Sequence, residues 1–180
     1  MKRVALLPAR EAVDITALEK QLLGLKGAPV IVVANAGTVN TVDFDAVPAI
    51  VELRTRYSFW LHIDAAFGGF AALTEEHGRL VSLLDQADSI CIDCHKWLNV
   101  PYDSAVQFTR RRDLQVRVFQ NYASHLGVPH GVPDIVHLTP EDSRRLRALA
   151  TWFALAAYGT EGHRDIFSAI LKLHADWASM

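Results

Sequence analysis

Four short runs of apolar and β-branched residues recur along the chain: Pro29–Ala34, Phe59–Asp64, Ser89–Asp93 and Ser104–Thr109. Helix-patterned stretches separate the first three. Asp14 can cap a helix running through Leu18, Leu22 and Leu23 to Gly24. Asp43 or Asp45 can start a second, with Val47, Ile50, Val51 and Leu53 on its inner side, and a short helix is expected near Leu80–Leu84. Parallel strands need a long crossover between them, whereas antiparallel neighbours do not. The alternation therefore predicts an α/β domain with a mainly parallel sheet flanked by helices. Pro29–Ala34 reads as a strand buried on both faces.

The second half is less regular. Gly127, Pro129, Gly131 and Pro133 mark residues 123–138 as a long loop. Thr139-Pro140-Glu141-Asp142 reads as a helix start, with Thr139 as the cap, Pro140 in the first turn and two acids at the positive end of the dipole. Leu146, Leu149, Ala150, Phe153 and Ala157 continue at helical spacing to Gly159, and a last helix is expected from about Arg164 onward.

A chain of 180 residues can bury one real core. Its net charge of −2 is scattered, without the basic stripe that nucleic acid binding demands. No apolar run reaches bilayer-spanning length, and Met1–Pro8 lacks the apolar stretch and cleavage site of a signal peptide. The expectation is a cytoplasmic protein with no membrane partner, in which Cys91 and Cys94 stay reduced.

In a doubly wound sheet, ligands bind beyond the carboxyl ends of the strands. Two segments sit there. Asp64 ends one strand and is followed by the small residues Ala65-Ala66 and by Gly68-Gly69. Lys96 follows another, within Asp93-Cys94-His95-Lys96-Trp97-Leu98. The chain has five lysines, and Lys2, Lys20, Lys26 and Lys172 lie in polar segments. Lys96 alone is expected in a partly desolvated setting, which favours a nucleophilic amine. Taken singly, each residue reads better as a surface group: a lysine snorkelling from the sheet edge, or an acid at the surface or capping a helix.

Taken together, the segments resemble the group II pyridoxal-phosphate (PLP) dependent amino-acid decarboxylases. The resemblance is carried by Asn35-Ala36-Gly37-Thr38, Leu61-His62-Ile63-Asp64-Ala65-Ala66-Phe67-Gly68-Gly69, Ala87-Asp88-Ser89 and His95-Lys96-Trp97-Leu98. It continues through Val100-Pro101-Tyr102-Asp103 and Ser143-Arg144-Arg145. It implies the large domain of a type I PLP fold over residues 1–160, with 161–180 leading toward a small domain. It implies decarboxylation of an L-amino acid to an amine, by a homodimer with its site at the subunit interface. Lys96 would be the Schiff-base lysine. Asp64 would pair with the pyridine nitrogen, and Ala66 would pack on the ring. His95 would lie by the phosphate or substrate, Thr38 near the cofactor, and Tyr122 would be a proton donor on a mobile loop.

The chain departs from the pattern in three ways. Asp93-Cys94 stands where many relatives have Asn-Pro, and an acid at Asp93 is unsuited to a phosphate. Val39 replaces a second threonine. Relatives are also much longer, so the chain reads as a fragment. Its strands should then expose apolar surface and open sheet edges, with poor solubility as the expected result. The alternatives are an inactive remnant or interaction subunit, and another type I PLP lyase or an aldehyde synthase. Cys91-Ile92-Asp93-Cys94-His95 also spells a haem-attachment pattern, but without an export signal. A zinc site from Cys91, Cys94 and His95 lacks a second cysteine pair, and in a strand the two thiols would face opposite ways. His77, His125, His130, His137, His163 and His174 form no helix-spaced pair and read mostly as surface residues.

Overall fold

The computed structural model describes the chain apart from residues 26, 122, 124–126, 128–130 and 179–180, with side chains described up to residue 173. Helix α1 spans Ile15–Gly24 and starts as its sequence dictates: the Asp14 carboxylate accepts hydrogen bonds from the N–H groups of Thr16 and Ala17. Strand β1 is Ile31–Asn35, helix α2 Val47–Leu53, and strand β2 Trp60–Asp64. Two short 3₁₀ turns, Gly78–Val81 and Leu84–Gln86, stand where the helix near Leu80–Leu84 was expected. Strand β3, Ser89–Asp93, runs directly into the single turn of α3, Cys94–Trp97. Strand β4 (Ala105–Thr109) and helices α4 (Arg112–Phe119) and α5 (Arg147–Ala178) follow. Gly159 kinks α5 with φ +61° and ψ −172°, a conformation open essentially only to glycine.

The sheet order is β1-β2-β3-β4. β1–β2 and β2–β3 are parallel, and β4 closes against β3 as an antiparallel strand, so the sheet is mixed but mostly parallel. Alternation puts Val32, Ala34, Leu61 and Ile63 on one face, where they join Leu18 and Leu22 of α1 and Val47, Ile50 and Leu53 of α2 in the main core. A second cluster gathers Cys94, Leu98, Val100 and Phe167, with Trp97, Val106, Ala150 and Ala154 against it, which docks α5 onto α3.

Four expectations are corrected. Pro29–Ala34 is not buried on both faces: within β1, Ile31 is 70% and Val33 59% exposed, because α1 and α2 cover only the opposite side. Neither Asp43 nor Asp45 caps α2. Asp45 instead accepts from the N–H groups of Val13 and Asn35, and Asp43 binds Arg10, so both tie the N-terminal segment to the end of β1. The helix expected from Thr139 begins at Arg147. The Thr139 hydroxyl donates to the carbonyls of Ile135 and Glu141 rather than accepting, and Glu141 is drawn to Arg147. His137 and His163 are buried rather than at the surface.

Candidate active site

Asp64 and Lys96 reach one side of the sheet through register. Asp64 of β2 pairs with Cys91 of β3, so the two side chains project from the same face, and Asp93, two residues on, projects with them. Lys96 lies three residues further, one turn into α3, and its Nζ comes back to within 2.8 Å of Asp93 Oδ2. The amine, the two carboxylates and the Cys91 thiol therefore share the sheet's less covered face, at the carboxyl ends of adjacent parallel strands.

The turn after Asp64 is clamped to the segment that bears Lys96. The Ala65 N–H donates to the Cys91 carbonyl at 2.9 Å, and the Trp97 indole N–H donates to the Phe67 carbonyl at 2.6 Å. Gly68 and Gly69 are needed for this closeness. A Cβ on Gly68 would come within 2.4 Å of the Ala36 carbonyl oxygen, and one on Gly69 within 2.9 Å of Ile92. Gly37, at φ +88°, brings the loop after β1 onto Gly68 in the same way. Three motif segments distant in sequence thus pack as one unit.

Asp64 Oδ1 accepts from the Ala66 N–H at 3.1 Å and lies 3.7 Å from Cys91 Sγ. Burial, and next the charge on Asp64, push the Cys91 thiol up, which keeps it protonated and able to donate. Among the described residues Asp64 Oδ2 accepts no hydrogen bond. Lys96 is about three-quarters covered, its Nζ lying 3.4 Å from the centre of the Phe67 ring. His95 Nδ1 sits 2.8 Å from the Ser104 carbonyl oxygen. The Ser104 N–H also lies 3.3 Å from Nδ1, so both backbone groups of Ser104 hold the ring. The imidazole also packs edge-on against Tyr102, with Nε2 3.6 Å from Asp93 Oδ2.

Thr38 lies on the loop after β1. Its hydroxyl donates to Glu11 and accepts from the Asp43 N–H, within a network that includes Thr41. A hollow of about 450 Å³ beside Arg10, Glu11 and Thr41–Asp43 is lined by neither Asp64 nor Lys96. Ala66 is half-buried at the turn. Tyr122 lies outside the described residues. Sequence reasoning missed Phe67 and the pairing of Asp93. The second had a signal, since an acid three residues before a lysine at a helix start places the two charges on one side.

Residues 2–179 match the pyridoxal-dependent decarboxylase conserved domain. The chain belongs to this family. It is 32% identical over 169 residues to the aromatic-L-amino-acid decarboxylase of Cavia porcellus, covering 89% of this chain and 35% of the relative. It is 30% identical over 141 residues to tyrosine decarboxylase 4 of Petroselinum crispum, covering 76% and 28% respectively. The chain thus spans about a third of the length of these relatives. Among solved structures, mouse CSAD in apo form superposes with a TM-score of 0.85 at 23% identity, over 98% of this chain and 38% of that one. Oryza sativa TDC with PLP and tryptamine gives 0.78 at 25% identity, over 86% and 33%. The fold is therefore that of the large domain of type I PLP decarboxylases. Among the described residues of this decarboxylase-family chain, no helix is long and apolar enough to cross a membrane.

Proposed function

We propose that this chain carries the PLP-anchoring core of an amino-acid decarboxylase that converts an L-amino acid to its amine and CO2. One observation supports this reading most. The Asp64 carboxylate and the Lys96 amine, the latter through Asp93, lie on the same sheet face at neighbouring strand ends. An amine and an anion so arranged suit the aldehyde and the ring nitrogen of PLP. When bound, PLP supplies a protonated pyridine ring that withdraws electrons from the substrate's α-carbon.

In this reading Asp64 would hold the protonated ring nitrogen through its unengaged Oδ2. The Ala66 N–H and the Cys91 thiol hold the other oxygen and fix the carboxylate's orientation. Lys96 would hold the cofactor through Nζ. Trp97 and Phe67 lock the wall that excludes water on that side. His95, oriented by Ser104, faces the substrate end. Asp93 is a poor neighbour for a phosphate, so the anion would be held by residues other than these. We further propose that Thr38 borders the site from its loop, and that Tyr122 supplies the proton that replaces CO2. The site would be completed at a homodimer interface, in the cytoplasm.

The test is direct. The chain is mixed with PLP, scanned for imine absorbance, reduced with borohydride and mapped by peptide mass. Label is expected on Lys96 and lost in K96A. Label confined to other lysines defeats the assignment. Product analysis with aromatic amino acids then separates amine from aldehyde, since 3,4-dihydroxyphenylacetaldehyde synthase of Drosophila melanogaster is 33% identical over 141 residues.

A further inference from the structure

The Lys96 amine is held on a short tether. Asp93 Oδ2 lies 2.8 Å from Nζ, and the Phe67 ring centre 3.4 Å. The same Asp93 oxygen stands 3.6 Å from His95 Nε2, so a single carboxylate edge faces both basic groups of the segment.

The two partners differ in stiffness. Asp93 is the last residue of β3 and pairs with Ala105 across the sheet. Just beyond it, the N–H groups of Cys94 and His95 both donate to the Ser104 carbonyl, at 2.9 and 3.2 Å, which pins the start of α3. Lys96 has a four-carbon stem with free rotation. At a partly buried site the more rigid group dictates where the mobile one rests, and a charge-assisted bond there is stronger than a surface pair. Without Asp93 the stem could swing toward solvent, since the side chain retains 24% exposure.

We propose that Asp93 is a positioning residue for Lys96: it steers the amine over Phe67, onto the side of the sheet that carries Asp64. An incoming aldehyde then meets the amine already in place. The inference rests on the reading of Lys96 as the PLP lysine and adds the group that aims it. Capture joins Nζ to the aldehyde carbon with loss of water, and the ammonium proton leaves to solvent.

The experiment compares the full chain with D93A, D93N and D93E. Each is exposed to PLP and trapped with borohydride over time, and the label is counted at Lys96 and at Lys2, Lys20, Lys26 and Lys172. Circular dichroism verifies the fold of each variant. In D93A, Lys96 labelling should slow on the order of tenfold, as misplacement of a reacting group does, while the other lysines keep their rates. D93E should recover most of the rate, and D93N, which keeps the shape without the charge, should not. Salt should slow the parent toward D93A and leave D93A unchanged. If D93A fails to fold, the contrast between D93N and D93E decides. Parental rates at Lys96 in folded D93A, or in D93N, overturn the proposal while the PLP reading stands. A parent chain that never labels Lys96 overturns both.

Discussion

Asp64 is the residue whose chemistry is least replaceable. Its Oδ1 is held by Ala66 and Cys91, and under the proposed function Oδ2 meets the cofactor. An amide at this position keeps the shape but cannot balance a protonated ring nitrogen. D64N should therefore weaken PLP binding by about 1.5–3 kcal/mol, roughly ten- to a hundredfold, as measured by absorbance titration. Circular dichroism should remain that of the parent. Unchanged affinity in D64N would remove Asp64 from the cofactor's contacts. At this scale the sequence was informative for a physical reason: an acid and a lysine at the ends of apolar strands stand out against their surroundings. Phe67 did not stand out, because a single aromatic beside two glycines reads as core until the turn brings it under the amine.

At the scale of the element, capping and crossover geometry decide the outcome. Helix α1 depends on Asp14 for its first N–H groups. D14A should cost about 1 kcal/mol, a fall in Tm of roughly 2–4 °C in thermal unfolding. It should leave PLP capture unaltered, since α1 packs on the sheet face opposite Asp64. Helix α2, by contrast, starts without a side-chain cap, with Pro48 in its first turn. Its apparent cap, Asp45, is buried and consumed by the Val13 and Asn35 amides. The false start at Thr139 has a local cause: Thr139 donates to the Ile135 and Glu141 carbonyls, and Glu141 pairs with Arg147 at the actual helix start.

Across the whole molecule, ion pairs and uncovered apolar surface set behaviour in solution. Arg10 holds Asp43 below the usual carboxylate range, and hydrogen bonds from Thr38, Asn40 and Thr41 do the same for Glu11. Arg145 lowers Asp103, Arg147 lowers Glu141, and Arg111 brings Asp113 down to about 2. A carboxyl lowered in the folded state contributes stability above its unfolded pKa, near 4, and loses it as pH falls through the folded value. The urea midpoint should accordingly hold near neutrality and drop between about pH 4 and 2. High salt should flatten the part of the drop owed to Asp103, Asp113 and Glu141, whose side chains are about half exposed. A midpoint independent of pH in that window would contradict these pairings.

The open sheet face exposes Ile31 and Val33 on the edge strand β1, and α5 exposes Trp152, Phe153 and Tyr158. Such surface favours association. The isolated chain should bind a hydrophobic dye and sediment as species larger than a monomer. A monodisperse monomer would refute this.

By itself the sequence determined the alternation of strands and helices, the mostly parallel sheet and the two segments that meet at its carboxyl end. These follow from local periodicity and from the rarity of acids and amines in apolar runs. Only the tertiary structure decided that one face of β1 stays open, and that Asp43 and Asp45 serve the N-terminal segment rather than a helix. Both depend on which distant elements and groups arrive at these residues, and that is a property of packing rather than of spacing along the chain.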